Sequence, residues 1–299
     1  MLVIEGVSKV YPTGAQALSG VTLTLERGVF GLLGPNGAGK STLMKILVGI
    51  LRPDSGRILF DGLDVARETK RVRQRLGYLP QDFGLYPDAT AEGLLEHLAT
   101  LKGIRSSAHR KMEVDRLLEA TNLTYVRKQK LATFSGGMRQ RFGIAQALIG
   151  SPDLVIVDEP TVGLDPEERH RLLNVLATFR RDAVVLLSTH IVQDVAELCP
   201  RMALLKDGQI AASESPAAAL DSMRGRVVRT SIEPEHLTAF QQEHQVLSSR
   251  FVGGHLVVHF LTGSVAVAHE VTEPTLEDYY FSHIRGFRAD MPRADTHVV

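Results

Sequence analysis

The chain has 299 residues, 44% of them apolar and 23% charged. These are ordinary globular proportions, so disordered, collagen-like and disulfide-scaffold readings fall away. Its 34 Lys plus Arg balance 34 Asp plus Glu, which gives no electrostatic reason to expect nucleic acid as a partner, and a single cysteine, Cys199, supports neither an internal disulfide nor a cysteine-based metal site. No run approaches the ~18 consecutive apolar residues of a membrane helix. The start, Met1 to Glu5, lacks the basic and apolar regions of a signal peptide. An intracellular protein that reaches a membrane only through a partner is expected.

Along the chain, strands alternate with helices. Leu2–Val7 and Val29–Leu33 are the first predicted strands. After the second comes Gly34-Pro35-Asn36-Gly37-Ala38-Gly39-Lys40-Ser41-Thr42, which fits G-x-x-x-x-G-K-[ST] and opens a predicted helix, Lys40–Leu51. Strand, loop and helix together are the context this motif requires. The glycines let backbone N–H groups point inward at phosphate oxygens, and the helix N-terminus adds positive potential. Lys40 supplies a cation for the β- and γ-phosphates, and Ser41 a hydroxyl for Mg²⁺. A nucleoside triphosphate is the expected ligand.

Strands follow at Arg57–Phe60 and Leu76–Leu79, the second running into Pro80 and Gln81. The block from Asp82 to about 135 shows helical patterns (Ala91–Gly103, Ala108–Ala120) and no strand, so it reads as a helical insertion. Phe134-Ser135-Gly136-Gly137-Met138 precedes a helix at Gly137–Ile149; a serine and two glycines there form a second anion-binding nest. Leu154–Val157 is a continuous apolar strand, as expected for burial on both faces. It ends in Asp158 and Glu159, at the sheet edge where ligands collect. Asp158 suits a metal ion and its water shell; Glu159 suits polarisation of an attacking water. A helix at Pro166–Arg180, a strand at Ala183–Ser188 running to His190, a helix at Ile191–Leu198 and a strand at Met202–Leu205 complete the main domain.

Composition changes near residue 210. No lysine follows Lys206, and seven of the 11 histidines lie beyond Ala211. We read 1–211 as an ATPase domain with a helical subdomain at about 82–135, 212–224 as a connection, 225–284 as a small accessory α+β domain, and 285–299 as a flexible tail. The small domain takes strands at Arg226–Ile232, Gln245–Val252 and His255–Phe260. In the last, Leu256, Val258 and Phe260 share one face and His255, Val257 and His259 the other. With His236 and His244 nearby a metal site is conceivable, but a solvated strand face is the expectation.

The phosphate loop, Gln81, Ser135 to Gly137, Asp158-Glu159, Gly163-Leu164-Asp165 and His190, in that order, resemble the ATP-binding subunit of an ABC transporter. The match covers about Leu2 to Ile210. It implies a P-loop α/β fold with a mostly parallel sheet and a helical insertion, to which the small C-terminal α+β domain read from the strand pattern is joined. It implies ATP and Mg²⁺ as cofactors, with Ser41, Gln81 and Asp158 toward the metal. Glu159, His190 and Lys40 would carry catalysis. Tyr11 would stack on adenine, and Ser135, Gly136, Gly137 and Asp165 would face a second ATPase, either a second copy of this chain or a paired homologue. The segments Tyr78 to Pro87 and Glu273 to Phe281 are similar to those of subunits serving small drug- and antibiotic-efflux exporters. That implies an integral membrane permease as partner and a place at the cytoplasmic face of the cell membrane. The alternative is an ATP-dependent clamp that regulates a membrane partner without transport. A GTPase is disfavoured because no Asn-Lys-x-Asp segment occurs. Translation and DNA-repair relatives are disfavoured because there is neither a second cassette nor a long coiled-coil insert.

Overall fold

The computed structural model describes residues 1–178, 183–262 and 270–287. They fall into two compact units, Met1–Ser213 and Glu214–Val299.

The first unit begins with β1 (Leu2–Val10), β2 (Gln16–Leu25) and β3 (Gly28–Leu33), followed by α1 (Lys40–Leu47). Next come β4 (Ser55–Phe60), β5 (Leu63–Asp64), α2 (Thr69–Gln74) and β6 (Leu76–Leu79). Helices α3 (Ala91–Leu101), α4 (Ser107–Ala120) and α5 (Gly136–Ala147) follow. The chain then alternates through β7 (Leu154–Asp158), α6 (Pro166–Thr178), β8 (Val184–Thr189), α7 (Val192–Leu198), β9 (Arg201–Lys206) and β10 (Gln209–Glu214).

Two sheets result. The larger has the order β10-β9-β3-β8-β7-β6, and β9, β3, β8, β7 and β6 run parallel. The smaller is antiparallel, in the order β2-β1-β4-β5. The expected strands Leu2–Val7 and Arg57–Phe60 therefore belong to a separate sheet. Strand β2 escapes sequence reading because its apolar alternation is broken by Ser19 and Gly20, where β1 and β2 slip register. Helix α1 also stops at Leu47, short of the expected Leu51, since left-handed Gly49 (φ 69°) ends it.

One core joins these layers. Leu43, Met44 and Leu47 of α1 share a buried cluster with Leu2, Ile4 and Phe60 of the antiparallel sheet and with Leu32, Ile156 and Leu186 of the parallel sheet. Strands β7 and β8 are buried at every residue, which explains their apolar runs Leu154–Val157 and Val184–Leu187 ahead of the polar ends Asp158 and Ser188-Thr189. The α3–α4–α5 block has its own pins. Arg127 grips Glu92 through Nε and Nη2 at 3.1 and 2.8 Å, and Asp115 through Nη2 at 2.6 Å. Phe134 stands edge-on to Phe142 at 6.2 Å, anchoring the start of α5.

The second unit contains α8 (Pro216–Met223), β11 (Val227–Ile232), α9 (Leu237–Glu243), β12 (Gln245–Val252), β13 (His255–Leu261), β14 (Glu270–Val271) and α10 (Leu276–Arg285). Its sheet has the order β12-β13-β11-β14. Helix α8 occupies most of the segment read as a connection. Ser215 caps it, accepting from Ala218 N at 3.1 Å, with Pro216 opening its first turn. Residues 288–299, most of the expected tail, lie outside the described residues, as do residues 179–182 at the end of the expected helix Pro166–Arg180.

The faces of β13 correct another expectation. Leu256, Val258 and Phe260 do form a core, with Phe240 edge-on to Phe260 at 5.2 Å. The face read as solvated is buried too: Val257 is 3% and His259 4% exposed. His259 Nδ1 lies 3.1 and 3.2 Å from the carboxylate oxygens of Asp278, and Thr275 N and Oγ1 donate to that carboxylate at 2.9 and 2.8 Å. Asp278 is the third residue of a capping box that opens α10. Burial pushes its carboxyl upward, but the bonds from His259 and Thr275 outweigh this and hold it below its ordinary value. Its contribution is present above about pH 4 and is lost as pH falls through the lowered value. Asp278→Ala removes the box and strands a buried imidazole, so a loss of about 2–4 kcal/mol is expected. Denaturant titration checks the size, and faster hydrogen exchange confined to β13 and α10 checks the place.

Candidate functional site

The β3–α1 loop is shaped by where side chains are forbidden. A Cβ on Gly34 would sit 2.4 Å from the Leu205 carbonyl, and one on Gly39 (φ 105°) would sit 2.4 Å from that of Ala17. The loop therefore lies against the ends of β9 and β2, and buried Gly34 and half-buried Gly39 keep it there. Asn36 and Gly37 at the tip are exposed, Pro35 is half-buried and Ala38 is buried.

Lys40 opens α1 and is 5% exposed. Its Nζ donates to Gly34 O at 2.6 Å and Pro35 O at 3.2 Å, and lies 3.4 Å from Glu159 Oε1. The other oxygen, Glu159 Oε2, is 3.2 Å from His190 Nδ1. Glu159 is buried, has left-handed backbone (φ 51°), and donates its N–H to Ser188 O at 2.8 Å. Parallel strands make this convergence possible: β7 and β8 pair Asp158 with Ser188, so Glu159 and His190 leave adjacent strands near one level. Thr42 Oγ1 is 3.1 Å from the Tyr11 hydroxyl, which ties the half-buried Tyr11 to the first turn of α1.

Asp158 is 2% exposed, and its Oδ1 is buried with no hydrogen-bond partner. Burial raises its carboxyl above the ordinary value, while the nearby hydroxyls of Ser188 and Ser41 and the Lys40 charge act against the rise. A buried carboxylate oxygen with open lone pairs, beside a serine hydroxyl at a phosphate loop, fits a hard divalent cation or its water.

The remaining expected residues gather elsewhere. Gln81 is exposed and lines a cleft with Gly136, Gln140, Gly163 and Leu164. Phe83, two residues on, lies against Gly143 of α5, where a Cβ would sit 2.5 Å from its ring. Ser135 caps α5, accepting from Met138 N at 3.2 Å; it and Gly136 are exposed, and Gly137 is half-buried. Asp165 is exposed and caps α6, its Oδ1 accepting from Glu168 N at 2.9 Å. The structure thus joins Lys40, Glu159 and His190 in one cluster, and places Gln81 with the Ser135 turn and the Gly163 loop.

Sequence reading missed one buried group. Asp194, in the first turn of α7, is 0% exposed and accepts from Thr161, Thr189 and Arg169. An aspartate near the start of a helix carries no such signal alone; its partners lie 33, 5 and 25 residues away.

A mostly parallel sheet, a glycine-rich loop around a buried lysine and a neighbouring strand ending in two carboxylates define a P-loop nucleotide-binding protein. The family model described as "ABC transporter" matches residues 18–162. The chain is 37% identical over 215 residues to the linearmycin resistance ATP-binding protein LnrL of Bacillus subtilis, covering 71% of this chain and 68% of that one. It is 37% identical over 213 residues to the Nod factor export ATP-binding protein I of Burkholderia lata, covering 70% and 69%. A dimeric ATP-binding cassette in a post-hydrolysis state bound to ADP and Pi superimposes with a TM-score of 0.67 at 27% identity, covering 72% of this chain and 98% of that one. The chain belongs to the ABC transporter family: it is an ATP-binding protein of that family and hydrolyses ATP. Among the described residues, no helix is long and apolar enough to cross a membrane.

Proposed function

We propose that the chain is the motor of an exporter: two ATPases, two copies of this chain or one with a homologue, close head to tail on ATP and drive a separate membrane permease. The observation that carries the reading is the convergence of Lys40 and His190 on the two oxygens of Glu159, at 3.4 and 3.2 Å, beside the phosphate loop. The export assignment is supported by the similarity to linearmycin resistance and Nod factor export proteins. The permease would hold the protein at the cytoplasmic face of the membrane.

In this reading Tyr11 stacks on adenine and the N–H groups from Gly34 to Thr42 enclose the phosphates. Lys40 turns from the Gly34 and Pro35 carbonyls to the β- and γ-oxygens. Ser41, Asp158 and Gln81 would hold Mg²⁺, which supplies charge compensation on the phosphates. Glu159 accepts a proton from the attacking water, and His190 fixes the Glu159 carboxylate and meets the γ-phosphate. Ser135, Gly136 and Gly137 of one ATPase complete the γ-phosphate site of the other, with Asp165 near the joint. Closure excludes bulk water, so hydrolysis is coupled to reopening. Gln81 and Phe83, resting on α5, would carry the motion to the permease.

The test uses Glu159→Gln to hold the closed state. With Mg-ATP this variant should scatter light as a dimer, and Ser135→Arg added to it should return the monomer. A trapped variant that stays monomeric at high concentration, or a double variant that still dimerises, contradicts the shared site.

A further inference from the structure

Glu159 and His190 touch, yet neither is held in place by its own bonds alone. His190 is 40% exposed and sits at the start of a loop, and Glu159 opens another. Behind them lies the fully buried carboxylate of Asp194. Its Oδ2 accepts from Thr161 Oγ1, and from Thr189 Oγ1 at 3.3 Å. Its Oδ1 accepts from Arg169 Nε of α6 at 2.6 Å. Thr161 is two residues past Glu159, and Thr189 immediately precedes His190. Both threonines are buried, at 2% and 0% exposure. The Thr189 hydroxyl also accepts the Ile191 N–H at 2.9 Å, so the backbone on both sides of His190 is tied to the same group.

We propose that Asp194 is a positioning residue for ATP hydrolysis: by clasping Thr161 and Thr189 it sets the approach of His190 to Glu159. The inference rests on the site reading above, in which those two residues act at the γ-phosphate. Three donors converge on one carboxylate, and its charge strengthens each of the three bonds. An amide of the same shape can keep its oxygen on Arg169 only by turning its NH₂ to the threonines, whose hydroxyls must then reverse to accept. It also loses the negative charge that faces the Arg169 guanidinium. Asp194→Asn therefore weakens the clasp without opening a cavity, and Thr189→Val removes, at nearly constant volume, the hydroxyl that joins Asp194 to the Ile191 N–H.

The experiment is steady-state and single-turnover ATP hydrolysis by the full chain, in parent and His190→Ala backgrounds. Thermal melting and Mg-ATP titration report the folded, binding-competent fraction. Asp194→Asn and Thr189→Val are each expected to lower kcat about tenfold with KM for ATP within roughly twofold, and Thr189→Ser, which keeps the hydroxyl, to stay close to the parent. In the His190→Ala background Thr189→Val should change the residual rate by less than about twofold, because groups acting as a unit are not additive. If Asp194→Asn fails to fold, Thr189→Val carries the same cycle. A slow His190→Ala in which Thr189→Val still costs its full factor overturns the positioning role and leaves the site reading intact. So does a loss seen only in KM. A His190→Ala as fast as the parent overturns both.

Discussion

Glu159→Gln is expected to bind Mg-ATP nearly as well as the parent and to hydrolyse it about 10²–10⁴ times more slowly. The range is that of a positioned general base in the transition state. The substitution keeps the shape: the amide oxygen can stay on Lys40 while the NH₂ turns to His190 Nδ1 as acceptor. It loses proton-accepting power, because an amide is not basic near neutral pH. Radiolabelled ATP hydrolysis beside a binding titration separates the two effects. A variant within twofold of the parent rate refutes the role given to Glu159.

Lys40→Ala is expected to lose ATP affinity by about two orders of magnitude, and turnover with it. The ammonium is 5% exposed, so its attraction to phosphate oxygens is little screened. Charge-assisted hydrogen bonds are worth about 1.5–3 kcal/mol each, and two of them lost correspond to about a hundredfold or more. The variant has a second defect, because Glu159 keeps its buried carboxylate without the cation 3.4 Å away. Titration calorimetry checks the affinity. Lys40→Arg is expected to be a poor rescue, since a planar guanidinium does not reproduce the compact ammonium that turns from the Gly34 and Pro35 carbonyls to the phosphates. Unchanged affinity in Lys40→Ala contradicts the assignment.

The parallel sheet and the phosphate loop were legible because each announces itself locally. Unbroken apolar runs mark strands covered on both faces, and the loop motif needs only eight consecutive residues, Gly34 to Ser41. The antiparallel sheet was half hidden. In β2 Val21, Leu23 and Leu25 alternate with exposed Thr22 and Thr24, but the run is short and Ser19-Gly20 cut it off from Leu18. His259 was misread for a related reason. Period-two alternation says which residues share a face, but not whether a helix from elsewhere covers it, and α10 supplies Asp278 from 19 residues away. Asp194 shows the same limit within the site. Its burial is made by Thr161 and Arg169 on other elements, and no window around Asp194 contains them.

The left-handed backbone at Glu159 reaches into the history of the sequence. A non-glycine residue at φ 51° holds conformational strain on the order of 1 kcal/mol or more. Glycine or asparagine would relax it, so selection for stability alone pulls this position away from glutamate. In the proposed mechanism, the glutamate is kept against that pull by the proton its carboxylate accepts. Libraries screened for thermal resilience without an activity filter should drift at residue 159 toward smaller, inert side chains, and their hardiest members would be sound folds that no longer turn over ATP.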